Sequence, residues 1–305
     1  MKKRLGIGSV VLGALVVIAL TPTGAGATFP GRNGRIIFNR GAFSGLTFLA
    51  SMEPDGSDPT RVTQPGLSEF GASWSPDGTR LVFGRTDGNG HVDLFISDAD
   101  GSDESQLTDT TADEFQPAFG PDGRHAVYEK CRFQCDLFII DVTTGDETRL
   151  TDTRKADEVA PEWSVDDVIV YDRAPRGRGG DIELFTINAD GTNKTRLTDN
   201  RRQDVSASWS PDGTRLVFSR CGFESDCDMF TMDPDGAGVD RLTTTVRRDE
   251  FGAVFSPNGR FIAFTRSRGE GSGDIFRMRT NGSDLRNLTQ TPNRFEVDAD
   301  WQPLP

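Results

Sequence analysis

The sequence predicts an all-β fold: a six-bladed β-propeller of four-stranded blades, closed by the C-terminal strand completing the N-terminal blade. Three observations predict it. An aromatic ending an alternating stretch recurs at Trp74, Phe119, Trp163, Trp209, Phe255 and Trp301, at intervals of 44 to 46 residues. A Leu-Thr pair (Val-Thr in the first unit) recurs with its threonine at Thr63, Thr108, Thr151, Thr198, Thr243 and Thr289. Each interval also holds four short β-patterns divided by turn residues, the sequence mark of a propeller blade.

The chain opens with Lys2, Lys3 and Arg4, then an uncharged, largely apolar run from Leu5 to Leu20, then Ala25-Gly26-Ala27. A positive start, a run too short for a comfortable membrane span and small residues at its end read as a signal peptide over 1–27. The alternative is an uncleaved N-terminal anchor. Either way residues 28–305, the propeller, are expected outside the cytoplasm, periplasmic or secreted.

The first unit supplies Ile36-Ile37-Phe38, Phe48 to Met52 and Val62-Thr63, three strands without an inner partner. The last supplies one strand, Val297 to Trp301, so the two ends are expected to share a blade and leave no free sheet edge. The second unit shows the whole pattern. Phe70 to Ser75 alternates as a first strand, and Ser75-Pro76-Asp77-Gly78 makes a tight turn. Proline presets φ, aspartate bonds its own backbone and glycine accepts the left-handed position. Leu81-Val82-Phe83 form a second strand and His91 to Ser97 a third; Asp98-Ala99-Asp100-Gly101 turns the chain into a short fourth. Pro121-Asp122-Gly123, Pro211-Asp212-Gly213 and Pro257-Asn258-Gly259 repeat the first turn, while the fourth unit departs from it with Ser164-Val165-Asp166-Asp167.

Cys131 and Cys135, and Cys221 and Cys227, occupy the same place in their units, the turn between second and third strands. That register favours two local disulfides over a zinc site, since no histidine lies beside either pair. Each would stabilise its hairpin by about 2 kcal/mol in the chain-entropy model. Formal charge is −13, and −16 without Lys2, Lys3 and Arg4. Nucleic acid and anionic membrane surfaces are disfavoured as partners, whereas a cation or basic segment is permitted.

Charged residues follow the repeat. Each second strand ends in a base: Arg40, Arg85, Lys130, Arg173, Arg220 and Arg266. First strands start with acid: Glu69, Asp113-Glu114, Asp157-Glu158, Asp204, Asp249-Glu250 and Glu296. Most third strands do too, at Asp93, Asp136, Glu183, Asp228 and Asp274. These positions share one end of an antiparallel sheet, so each base can sit between two carboxylates as a structural salt-bridge ring. Alternatively, the first-strand acids rim the channel mouth and attract a cation or a basic partner.

Motifs for chemistry are few. Asp98-Ala99-Asp100-Gly101-Ser102-Asp103 has glycine fourth rather than sixth, so turn geometry explains it better than a calcium loop does. Calcium stays a minor possibility and no other cofactor is expected. His91 and His125 lie in different units, and no Gly-x-Ser-x-Gly elbow, His-Glu-x-x-His or phosphate-binding glycine loop occurs. Carboxylate pairs near an axis leave glycoside chemistry open.

The unit acid-x-x-x-(Trp/Phe)-Ser-Pro-Asp-Gly-x-x-(Leu/Ile)-(Val/Ala)-Phe-x-Arg, then Asp-(Leu/Ile)-Phe and Asp-Gly…Leu-Thr, resembles the repeat of TolB-like β-propellers over residues 29–303. Residues 73–80 and 208–215 carry the resemblance most closely. Similar repeats build the propeller halves of prolyl-oligopeptidase-type peptidases and some polysaccharide lyases. TolB proteins carry an N-terminal α/β domain ahead of the propeller, whereas here the apolar run leads straight into the first repeat. The hydrolase domain of the peptidases and the histidine-rich metal site of the lyases have no counterpart in the sequence. The expectation is a monomeric, exported protein-interaction module whose channel-mouth face binds a cell-envelope protein. The alternative is a carbohydrate- or peptide-active enzyme using channel-mouth carboxylates or a bound cation.

Overall fold

The structure is a computed structural model that describes residues 28–41, 46–64, 66–87, 89–177, 181–222, 227–246, 248–267, 272–291 and 294–305. The segment 1–27, read as a signal peptide, lies outside the described residues. Among those described, no helix is long and apolar enough to cross a membrane.

The chain is a succession of antiparallel β-meanders. Strands β1 (Arg32–Gly41), β2 (Phe48–Met52) and β3 (Thr60–Arg61) come first. Four four-stranded sheets follow. They are β4 (Glu69–Trp74), β5 (Arg80–Thr86), β6 (Val92–Asp98) and β7 (Ser105–Gln106); then β8 (Asp113–Phe119), β9 (His125–Cys131), β10 (Cys135–Asp141) and β11 (Glu147–Arg149). Next come β12 (Ala156–Trp163), β13 (Val168–Pro175), β14 (Glu183–Asn188) and β15 (Thr195–Arg196), then β16 (Gln203–Trp209), β17 (Leu216–Cys221), β18 (Cys227–Met232) and β19 (Asp240–Arg241). A final meander, β20 (Glu250–Phe255), β21 (Phe261–Ser267), β22 (Gly273–Arg279) and β23 (Arg286–Asn287), precedes β24 (Phe295–Leu304). The C-terminal β24 runs antiparallel to β1 along Arg32 to Gly41, and one parallel pairing, Gly273 to Phe295, links this group to the last meander as an eight-stranded sheet.

The turn chemistry is local. Gly78, Gly123, Gly213 and Gly259 take φ of 68, 65, 70 and 67°, the left-handed position that glycine enters without a Cβ clash. In the fourth unit Asp167 occupies that place at φ 60°, so the missing glycine changes the residue and not the turn. Aspartates in the other turns close on themselves: Asp77 accepts from Thr79 N–H at 3.0 Å, and Asp100 from Ser102 N–H at 2.9 Å.

The core lies between sheets. The six repeat aromatics are buried, and each packs against the second and third strands of the preceding meander. Trp74 meets Ile37 and Leu49; Trp209 meets Val170 and Leu184; Trp301 meets Ala263 and Ile275. First strands adjoin in order: β4 packs on β8, β8 on β12, β12 on β16, β16 on β20, and β20 on β24, which also packs on β4. Alternation thus gives both faces of each meander something to bury.

At Gly101 (φ +83°) an added Cβ would lie 2.2 Å from the Val62 carbonyl oxygen, whereas at Gly90 (φ +94°) it meets nothing within 4 Å. Gly101→Ala should therefore destabilise by well over the ~1 kcal/mol expected at Gly90→Ala, read from urea unfolding midpoints.

Candidate functional site

The acids that open the first strands are taken out of water. Glu69, Glu114, Glu158, Asp204, Glu250 and Glu296 are each at most 1% exposed. A buried carboxylate without partners is costly, and the sequence supplies three kinds of partner. The first is the base that ends the second strand: Arg85 to Glu69 at 2.7 Å, Lys130 to Glu114 at 3.0 Å, Arg220 to Asp204 at 2.6 Å, Arg266 to Glu250 at 2.7 Å, and Arg40 to Glu296 at 2.6 Å. The second is a polar side chain of the loop before the strand. The hydroxyls of Thr63, Thr108 and Thr243 donate to Glu69, Glu114 and Glu250, and those of Thr153 and Thr291 to Glu158 and Glu296; the Asn200 amide donates to Asp204. The third is aromatic: Arg85 lies over Phe95 at 4.7 Å and Arg266 over Phe276 at 4.6 Å.

This explains the recurring Leu-Thr. The threonine hydroxyl accepts the third-strand N–H of Leu49, Leu94, Leu137, Leu184, Met229 or Ile275, fourteen residues earlier in each case. In three units it also donates to the buried acid, so one hydroxyl joins the third strand, the fourth and the next meander.

Two sequence expectations need correction. The third-strand acids do not flank the bases. They turn to the fourth strand, where Arg149 binds Asp136 at 2.7 Å, Arg196 binds Glu183 at 3.2 Å and Asn287 binds Asp274 at 2.9 Å. Arg241 and Gln106 do the same for Asp228 and Asp93. The second carboxylate at Arg85 and Lys130 is instead Glu104 or Glu147. In the fourth meander the equivalent position is Lys194. Lys194 holds Glu158 at 2.7 Å, while Arg173 stands 3.9 Å from the same acid.

Nor are six of the nine rim acids open to a partner: those described above are enclosed and paired. Asp113, Asp157 and Asp249 accept the N–H of Val92, Cys135 and Cys227 at 3.2, 2.9 and 3.2 Å, capping the preceding meander's third strand. The two disulfides are the expected ones, Cys131–Cys135 and Cys221–Cys227, each across directly paired strand residues.

Sequence reading missed a set of deeper acids. Two residues beyond each buried acid, Gly71, Gln116, Ala160, Ser206, Gly252 and Asp298 have φ from 48 to 60°, and the register slips beside each. These bulges turn N–H groups toward the preceding meander. Asn39 accepts from Gly71, Glu129 from Ala160 at 2.9 Å and Asp172 from Ser206 at 3.0 Å. Burial pushes the Glu129 carboxyl up to about 7 and lifts Asp172 well above the usual carboxylate range. Further along, Asp300 accepts from the N–H of Trp74 and Trp301, while both Glu162 oxygens are buried without a hydrogen-bond partner. Burial, and secondarily the Asp300 charge, raises Glu162. Among the described residues no group of three His, Cys, Asp or Glu side chains is arranged to hold a metal ion.

The end of the sheets marked by the bases also carries the apolar exposure. Register places the start of the first strand, the end of the second and the start of the third together, as in Glu69–Arg85–Asp93 and Asp204–Arg220–Asp228. Connections between meanders emerge at this end too. Of the six large apolar side chains exposed among the described residues, Leu46, Leu67, Phe133 and Val246 are here; Val239 and Leu285 lie in turns at the other end. Phe133, 76% exposed, tips the Cys131–Cys135 hairpin and borders a cleft of about 340 Å³ lined by Ala112, Lys130, Arg132 and Phe138.

The sequence profile described as TolB beta propeller domain matches residues 134–303, more than half of the chain. The chain belongs to the TolB β-propeller family. TolB from Acinetobacter baumannii superposes with a TM-score of 0.75 at 20% identity, covering 88% of this chain and 67% of that one. A putative TolB from Agrobacterium tumefaciens gives 0.60 at 20% identity over 88% of this chain and 91% of that one. An oligogalacturonate lyase in complex with manganese gives 0.56 at 15% identity, covering 87% and 75%. At such identities the likeness is one of TolB-type fold. No curated protein sequence matches.

Two outcomes are expected. Thr108→Val removes the acceptor of Leu94 N–H and a donor to Glu114, and should cost about 2–3 kcal/mol in urea unfolding. Glu129→Gln retains the acceptor for Ala160. Because the folded protein holds the Glu129 proton more tightly than the unfolded chain, its contribution is full below the ordinary carboxylate range and lost as pH rises towards 7. The variant should thus melt a few degrees (~2–6 °C) above wild type at pH 8, with the gain gone near pH 4.

Proposed function

We propose that the six meanders close into one six-bladed ring, with β24 as the inner strand of the blade begun by β1 to β3. Supporting this are the β24–β1 pairing and the packing of β24 on both β20 and β4. So does the field of Asp300 at Glu162, whose strands are separated by two others along either direction of the ring.

The ring is an exported protein-interaction module that uses its base-marked end. The carrying observation is the concentration of exposed apolar residues there, on loops and, for Phe133, on a hairpin closed by a disulfide. Exposed apolar groups rimmed by polar ones mark interaction surfaces, and rigid presentation lowers the entropy lost on docking. The opposite end is built of tight turns that satisfy their own polar groups, offering less to a partner. Export is supported by the apolar leader in the sequence and by two disulfides with no free cysteine. The partner is a protein of the cell envelope, and the module itself is monomeric, since a closed ring leaves no edge to cover.

The enzyme alternative gains no specific support. The first-strand acids each have a base within reach, and the unpartnered Glu162 is fully enclosed.

Photo-crosslinking distinguishes the ends. A benzophenone amino acid at Phe133 or Val246 in the producing cell should give discrete protein adducts, and the same group at Val239 or Leu285 should not. Adducts confined to the second pair would move the docking surface to the turn end.

A further inference from the structure

The net charge and an acidic rim permit a cation or a basic segment as partner. The charge on the docking end is distributed otherwise. The connections entering the fourth, fifth and sixth meanders carry Arg154-Lys155, Arg201-Arg202 and Arg248, and the Phe133 hairpin carries Arg132. All six are exposed, and among the described residues none has an ion-pair partner. Acids on the same connections are paired or buried, whereas Asp109, on the connection entering the third meander, is exposed. Asp152 is held by Arg149 at 2.9 Å and Asp199 by Arg196 at 2.8 Å, Asp157 by Arg176 at 3.3 Å, and Asp204 and Glu250 are buried. The excess negative charge sits largely in turns at the far end, where Asp55, Asp77, Asp100, Asp190 and Asp212 bond their own loops. With a screening length of about 8 Å at physiological salt, those carboxylates do not cancel free guanidinium groups at the opposite end.

Resting on the reading of this end as a docking surface, we infer that its partner presents an acidic segment bearing apolar side chains. Free guanidinium groups are forks for carboxylates and lose little water on pairing. The cleft beside Phe133, with Arg132, Phe138 and Ala112 in its lining, takes a side chain of leucine or phenylalanine size. A uniformly charged polyanion makes use of the bases and leaves the apolar groups wet; a basic segment meets unpaired like charge. An acidic-apolar peptide satisfies both features.

The probe is a fluorescein-labelled peptide alternating Glu with Phe and Leu, titrated into the full-length protein and read by anisotropy. Controls are the same peptide with Lys for Glu, polyglutamate, oligogalacturonate and phosphatidylglycerol vesicles. The variants are R201E/R202E/R248E and F133S/V246S, each checked for unchanged melting, as exposed substitutions allow. The expected result is saturable binding of the Glu peptide only, at least tenfold weaker in either variant and weakening with salt. Equal or tighter binding of the Lys peptide overturns the inference. So does preferential binding of polyglutamate, glycan or vesicles, which would make the surface a plain polyanion site. Loss in F133S/V246S without loss on charge reversal overturns the acidic partner while leaving the docking end standing. Indifference to both variants removes the docking end as well.

Discussion

A carboxylate buried at the start of the first strand of each meander, and of β24, is the constraint on which the rest of the structure depends. Such a group is tolerable only when charge and hydrogen bonds meet it together, and removing one partner from a buried pair typically costs about 3–5 kcal/mol. The fold meets it with elements from three places: a base from the adjacent strand, a hydroxyl or amide from the loop before it, and aromatic rings beneath the base. Satisfying the acid therefore fixes the mutual position of two successive meanders. In three units the same threonine, Thr63, Thr108 or Thr243, also accepts a third-strand N–H, so there the polar network is continuous with the sheet ladders.

This arrangement bears on function through what it removes. Acids that sequence alone would place around an opening are consumed in holding successive meanders together, and so are the strand-end bases that pair with them. What is left for a partner is carried by loops: a few apolar side chains, and arginines and lysines whose neighbouring acids are already engaged. Net charge describes the molecule as a whole, yet the exposed, unpaired bases are concentrated at one end of the sheets and the turn aspartates at the other.

Much of the fold was legible because the repeat states each element six times. The aromatic spacing, the turn tripeptides and the disulfide register all correspond to local chemistry, and Asp167 shows that a missing glycine need not break the pattern. The site was legible only in part. Glu158 could be recognised as an acid needing a base, but not that Lys194 would supply it; that follows from a fourth-strand position holding Glu104 and Glu147 in other units. Third-strand acids were read with the bases because strand register places them side by side, whereas side-chain direction sends them to the fourth strand. The bulges are visible in sequence at Gly71 and Gly252, where glycine betrays a left-handed residue. At Gln116, Ala160, Ser206 and Asp298 nothing marks them, so the buried Glu129 and Asp172 that serve them had no visible purpose.

The central claim is that the acid-centred junctions are the most cooperative part of the molecule, and native-state hydrogen exchange tests it directly. The account predicts that the N–H groups of Leu49, Leu94 and Met229, bound to threonines that also hold a buried acid, exchange only by global unfolding, with free energies that match it. Exchange of these three by local opening, while the first-strand amides beside the buried aromatics stay protected, would contradict it and leave the apolar packing between sheets as the true organiser.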